Sequence, residues 1–436
     1  MNPLASALSA RLPEGQVIEG FRAEQWAVCD RVPQAVVFPE SESEVAEVMR
    51  LATQEGWSVV PAGKGTWLHG GQPPRGVDIV LSTMRMDRIK LYEPADLTVT
   101  AEGGIGLDLL ARRCGDHGQW LPLDPPGPRK GTLAATVSTA SAGPLAGLHG
   151  SARDQVLGAT LIAGDGRLLQ LGGRVVKNVA GFDVLKLAIG SWGTLGVLTS
   201  ITTRLQPLPP ADRTVLFRGE ITELVSLALA IATAPAPLAA LELLLPGERE
   251  RSGGPVPLLA VRILEASEAT DEICRIVTDT AGASAFRQMD GPASAGLFQN
   301  VEALESGAEL VVRLRSLPSQ LETTREHAEV LRELADHEEG WGTRLAAHVQ
   351  SGVLRVIISR MARDEGWVER AVEVMDRVRG GLEAGGGSLT ISRGPAELVS
   401  AVGAWGDAGS TAMLMEALKR EFDPAGVLSP GRLSGL

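Results

Sequence analysis

The sequence predicts an α+β fold in two parts, and three observations lead to it. A strand-like run, Trp57-Ser58-Val59-Val60, feeds a glycine loop, Pro61-Ala62-Gly63-Lys64-Gly65-Thr66. Far downstream, Gly190, Gly193 and Gly196 fall three apart directly before the alternating run Val197-Leu198-Thr199-Ser200-Ile201-Thr202. Beyond Pro207-Leu208-Pro209-Pro210 the pattern changes, and one order of elements, strand-helix-strand-strand-helix-strand, is written twice. Consecutive prolines neither continue a helix nor pair in a sheet, so that stretch reads as a linker. The expected parts are 1–208, 209–395 and a segment 396–436 that returns to the first.

Within the first part, Ser41-Glu42-Ser43-Glu44 has the spacing of a capping box. Val45, Val48, Met49 and Ala52 then recur at helical spacing until Gly56 stops the helix. Strands are expected over 78–82 and 97–102, and a helix over 107–114. The runs 155–163 and 167–171 flank Gly164-Asp165-Gly166, a hairpin signal. One early α/β unit followed by several strands favours α+β over a doubly wound dinucleotide fold. In the second part, strands over 214–219, 239–245 and 256–264 alternate with helices over 222–232 and 268–281. The order recurs with strands over 309–314, 344–349, 353–359 and 388–392 and helices over 319–335 and 365–379. This reads as two ferredoxin-like halves, the last strand of the first half being the least visible. A final helix is expected over 412–422.

At 436 residues the chain is long enough for two hydrophobic cores, and 44% hydrophobic with 22% charged residues argues against disorder. A net charge of −12 disfavours nonspecific binding of nucleic acid or an anionic membrane, since both need a basic surface. Cys29, Cys114 and Cys274 lie far apart in no metal-type spacing, which excludes a disulfide framework and a zinc or iron–sulfur site of their own. No metal is expected, and so few cysteines suit a reducing cytoplasm. The first twenty residues contain Glu14 and Glu19 and no long apolar core, so no secretory signal is expected. No apolar run reaches the ~18 residues of a membrane span, so no transmembrane helix is expected, and peripheral attachment through a partner stays open.

The loop from Pro61 to Thr66 offers successive backbone N–H groups in a glycine-permitted conformation, which is how a chain makes an anion nest. It is not a Walker A loop, because Lys64 is followed by Gly65 rather than by Ser or Thr. The alternative is a plain strand-to-helix turn.

Together the two glycine stretches resemble the flavin-binding domain of the vanillyl-alcohol-oxidase, PCMH-type, FAD enzymes, over roughly residues 30–208. The run Lys177-Asn178-Val179-Ala180-Gly181-Phe182-Asp183 resembles, more narrowly, the flavin-binding partner subunit of bacterial glycolate oxidases. The resemblance implies a PCMH-type FAD domain with the ferredoxin-like part as a cap over the flavin. Pro61, Ala62, Gly63, Lys64, Gly65 and Thr66 would wrap the cofactor's diphosphate. Asp124, Thr132, Ala135 and Ser138 would contact the flavin, and Gly193 and Val197 would lie along the adenine half. The loop lacks the histidine that some relatives bond to flavin, and His69 falls past that position, so noncovalent FAD is expected. Ala134 and Ala135 stand where relatives have glycines, Ala140 where an asparagine is common, and Trp192 where the family has a glutamate.

Relatives that oxidise 2-hydroxy acids directly carry His-x-Gly-Asp-Gly-Asn-x-His in the cap. The counterpart here is His348-Val349-Gln350-Ser351-Gly352-Val353-Leu354-Arg355, with an arginine in the second histidine's place. Such an oxidation needs a base for the O–H proton while hydride moves to the flavin. His348 is the remaining candidate, although a lone strand histidine is more often structural. Arg355 could clamp a carboxylate, and Lys177 could hold one or stabilise charge on the reduced ring. The resemblance also implies partners, a second flavin subunit and an iron–sulfur subunit that takes the electrons. Three readings remain at this level: a glycolate-oxidase-like flavin subunit, a self-sufficient 2-hydroxy-acid dehydrogenase, and a flavin-free structural subunit.

Overall fold

The computed structural model describes residues 2–127, 131–173, 182–246, 256–282, 285–335 and 342–433. Helix Glu42–Glu55 starts where Ser41 Oγ accepts the Glu44 N–H, while the Glu44 carboxylate reaches one residue further back, to the Glu40 N–H at 2.7 Å. Left-handed Gly56 ends it at φ 72°, and Val45, Val48, Met49 and Ala52 are buried. The helix returns the chain to strand Val59–Ala62, which runs parallel to Ile79–Ser82. Ala35–Val37 pairs parallel on the other side of Ile79–Ser82, and Val17–Ile18 closes that edge antiparallel. The glycine loop thus leaves the C-terminal end of an edge strand.

A second, five-stranded antiparallel sheet stands beside the first. Its central strand, Val197–Arg204, is buried over all but its last residue and lies between Thr98–Glu102 and Val156–Ile162. Val156–Ile162 turns through Gly164-Asp165-Gly166 into Leu168–Gly172, as the hairpin signal predicts.

The cap is one eight-stranded sheet. Its order is Arg287–Asp290, Ala211–Arg218, Leu258–Glu265, Ala240–Leu245, Thr343–His348, Val353–Ile358, Leu310–Arg315, Ser388–Arg393. Each half is therefore a ferredoxin-like unit, and the two join edge to edge with Glu242 opposite His348. The α+β, two-part fold class is the one observed. Arg287–Asp290, the missing strand, is mostly exposed and has no alternating apolar pattern. Helix Gly291–Ala303, which nothing in the pattern announces, lies against the opposite sheet face from the other cap helices. Its Phe298 packs on Leu216, Ala240 and Ala260, whereas Leu241, Leu243 and Leu245 belong to the main cap core. Strand alternation thus gives the cap one apolar face and one that looks toward the first part.

Helix Ala412–Phe422 and the tail after it come back to the first part. Lys419 Nζ, buried, donates to the carbonyls of Thr194 and Leu428 and to Asp423 Oδ2, at 2.8, 2.6 and 2.6 Å. Val427 and Ser429 bond to Val59, adding the tail to the edge strand and carrying Arg432 inward.

Candidate cofactor and substrate site

The glycine loop, the segment 134–139 and the strand start at Val197 line one partly open pocket. Of the residues expected at the cofactor, Pro61, Ala62, Gly63, Gly65, Thr66, Ala135, Ser138 and Val197 line it. Thr132 stands just behind. It N-caps helix Leu133–Thr139 by accepting the Ala135 N–H at 3.3 Å, and a Cβ on Gly63 would run into its hydroxyl. Gly193, at φ 72°, presses on the Pro61 ring, where a Cβ would come within 3.0 Å of Cγ. Lys64 points away, its exposed chain placing Nζ beside Gly106 and Asp108. Trp67, Trp192 and Arg432 also line it, and sequence reasoning gave none of them a cofactor contact. Trp192, left-handed at φ 53°, stands between Trp67 and Trp405 at ring distances of 5.7 and 4.9 Å, and Arg432 lies over it.

The residues present fit FAD. Among the described residues, the N–H groups of Lys64, Gly65 and Thr66 meet no internal acceptor, and buried Thr66 Oγ1 has no partner. Small residues around unpaired donors make a cradle for a diphosphate. FAD, when bound there, supplies an acceptor for two electrons.

A second pocket opens between that loop and the cap. Thr66 and Trp67 line both cavities, and Gly131, Glu305, Ser392 and Arg393 complete the second. Glu305 is the end of a buried charge network on the cap's inner face. It accepts from Arg313 at 2.8 Å and from Arg355 at 3.3 Å, and Arg313 also donates to Ser392 Oγ. Arg355, 1% exposed, lies 3.7 Å from Glu242 Oε2, and Glu242 Oε1 is 2.6 Å from His348 Nδ1. Glu242 bridges the two cap residues singled out in the sequence, and it went unnoticed because Ala-Leu-Glu-Leu-Leu-Leu reads as a plain core strand.

Burial sets the protonation of this network. It pushes Glu242 well above the usual carboxylate range, with Arg355 opposing. It pushes His348 well below an ordinary imidazole, helped by the positive charges of Arg355 and Arg313. Glu305 is held low because Arg313 and Arg355 together outweigh its burial. The Glu242–His348 pair therefore holds one proton between a neutral acid and a neutral ring. Neither residue lines the cavity that Glu305 and Arg393 face.

Asp124 is not at the cofactor cavity. It is buried near the cap boundary, accepts the Leu145 N–H at 2.9 Å, and is pushed up to about 8, mainly by burial and further by Glu302 and Glu242. Lys177 and Asn178 lie outside the described residues. Asp154 caps its own short helix, and Arg153 donates to the Lys186 carbonyl. Among the described residues no group of three or more His, Cys, Asp or Glu could hold a metal, and no helix is long and apolar enough to cross a membrane.

The model of the FAD binding domain matches residues 33–172, and that of the C-terminal domain of FAD linked oxidases matches 259–433. The chain is 26% identical to glycolate oxidase subunit GlcD of Bacillus subtilis (strain 168), over 92% of this chain and 89% of that protein. It is 37% identical to glycolate oxidase subunit GlcE of Escherichia coli (strain K12), over 38% of this chain and 47% of the relative. Mitochondrial D-lactate dehydrogenase [cytochrome] of Arabidopsis thaliana is 38% identical over 41% of this chain, which spans 31% of its length. Two solved structures share the fold. p-Cresol methylhydroxylase has a TM-score of 0.77 at 14% identity, over 99% of this chain and 96% of that one. An alkyldihydroxyacetonephosphate synthase has a TM-score of 0.76 at 17% identity, over 99% and 86%. With an FAD binding domain and a C-terminal domain of FAD linked oxidases matched in turn along the chain, and a cradle suited to the cofactor, the chain carries the two domains of FAD linked oxidases and uses FAD.

Proposed function

We propose that the chain is a flavin-bearing subunit of a glycolate-oxidase-like assembly, taking part in the oxidation of a small 2-hydroxy acid and handing the electrons to partner subunits. The observation that carries this reading is the closed cap network. His348, the one base candidate of the altered motif, is buried against Glu242, and Arg355 is enclosed between Glu242 and Glu305. Groups committed to one another in this way are poorly placed to take a substrate proton, which favours relay over primary oxidation. Arg393 on the second cavity keeps that space attractive to a carboxylate. FAD is held noncovalently, since no histidine stands within the glycine loop. The partners supported by the relatives' names are other glycolate oxidase subunits. A second reading, a self-sufficient 2-hydroxy-acid dehydrogenase, draws on the likeness to GlcD over most of the chain and to D-lactate dehydrogenase. Affinity purification of the tagged chain from its own cells separates them. Co-elution of a flavin protein and an iron–sulfur protein is expected. A chain that elutes alone and turns over glycolate or D-lactate with a dye acceptor overturns the relay reading.

A further inference from the structure

Arg432 presents a problem that the protein alone leaves unsolved. It is 3% exposed and lines the cofactor cavity beside Gly63, Thr66 and Trp192. Nη2 donates to the carbonyls of Trp67 and Gly70 at 2.9 and 2.7 Å, and the guanidinium lies 5.3 Å from the centre of the Trp192 ring. Nη1 is buried and has no partner, and among the described residues no carboxylate pairs with the group. Contrast Arg355, equally buried but set between Glu242 and Glu305. Carbonyl dipoles and a ring face offset part of the cost of burying a full positive charge, which is several kcal/mol. The rest calls for an anion in the cavity.

We propose that Arg432, delivered by the C-terminal tail, is the counter-charge for the diphosphate of FAD, closing the cradle opposite the loop 63–66. The inference rests on the FAD reading of the cavity and deepens it. Oxidised isoalloxazine is neutral, so the permanent charge of resting FAD sits on its diphosphate. Only that group compensates the arginine throughout the catalytic cycle. The loop's N–H groups bind the same anion through dipoles but bring no net charge, so the two elements are complementary rather than redundant. The tail is tied to the rest of the site by Lys419 and by the Val59 pairing, which lets the last turns of the chain report on cofactor occupancy.

The test is titration of the apo-protein with FAD, ADP and riboflavin, followed by fluorescence, for wild type, Arg432→Met and Arg432→Lys. Arg432→Met is expected to weaken FAD and ADP by about 50-fold or more, the scale of a lost charge-assisted contact, and to leave riboflavin within about threefold. Salt should weaken ADP binding by wild type more steeply than by the Met variant. Arg432→Lys, which keeps the charge, should recover most of the ADP affinity and its salt dependence. If the Met variant does not fold, a Lys variant whose ADP affinity has lost its salt dependence overturns the proposal. Unchanged FAD and ADP affinity in a folded Met variant overturns it as well. So does a shifted flavin midpoint potential with ADP affinity intact, which would assign the arginine to the reduced ring. A wild-type protein that binds neither FAD nor ADP would instead overturn the cofactor reading beneath it.

Discussion

The cofactor cavity and the inner face of the cap meet along one boundary and are built on opposite principles. In the cavity, donors are left open: the N–H groups of Lys64, Gly65 and Thr66, the Thr66 hydroxyl and Arg432 Nη1. On the cap face, charges face one another: Glu305 with Arg313 and Arg355, Glu242 with His348, Arg262 with Asp212. Unmet donors in a buried space mark where a ligand completes the structure, because leaving them bare costs about 1–3 kcal/mol each. On the cap face Arg355 Nε and Nη2 and Glu242 Oε2 also lack hydrogen-bond partners, so what separates the two regions is charge: Arg355 has carboxylates within 4 Å, whereas Arg432 has none among the described residues. By this criterion the first part is built for FAD, while the cap face is first of all a structural seam that has kept one histidine of the family's motif.

The sharpest way to break the contrast is Arg355→Ala. Removing one partner from a buried network should cost about 3–5 kcal/mol, whereas Arg355→Met, which fills the space, should cost clearly less. Equal losses in thermal or urea unfolding would mean that charge pairing is not what holds the seam. On the cavity side, Gly63→Ala drives a methyl into Thr132, an overpacking worth about 1–3 kcal/mol, and should displace the loop enough to lose most FAD affinity. A Gly63→Ala protein that stays yellow at wild-type occupancy would show that the loop tolerates the shift.

Asp124 sharpens the comparison through pH. Its folded pKa, about 8, lies above that of an unfolded aspartate, so the folded state binds the extra proton. That stabilising contribution is complete below the ordinary carboxylate range and is lost as pH rises through about 8. Asp124→Asn, neutral throughout, should match wild type below about pH 4 and gain on it steadily until about pH 8, by several kcal/mol in all. A pH-independent difference would place the charged form of Asp124 in the native state. The smallest effect belongs to Lys64→Ala. Its exposed ammonium points toward Asp108, so FAD affinity should change by less than about threefold, and a larger loss would put the lysine on the diphosphate.

Much of this was legible in the chain. The Gly63/Gly65 loop announced itself because Gly63 answers a steric demand from Thr132 and Gly65 a left-handed φ of 81°, and the ferredoxin-like halves did so because strand and helix patterns switch cleanly between 240–245 and 267–281. Arg287–Asp290 stayed hidden because an exposed edge strand needs no apolar alternation. Glu242, Glu305 and Arg432 stayed hidden for another reason: a residue's pairing across a sheet or from a distant tail leaves no local pattern. Glu242 alone could have been suspected, as a lone charge inside a run of leucines. Asp124 was carried over by likeness, and the structure sets it at the cap boundary instead.

In the proposed function the chain holds FAD in a cradle built for it while its cap offers the substrate no free base. An anaerobic absorption spectrum of the purified chain, before and after glycolate or D-lactate, tests both halves at once. The prediction is a flavin band that persists with either acid alone, bleaches with dithionite, and bleaches with substrate once the co-purifying partners are added. Prompt bleaching of the isolated chain by a 2-hydroxy acid would contradict it and make this protein a dehydrogenase in its own right.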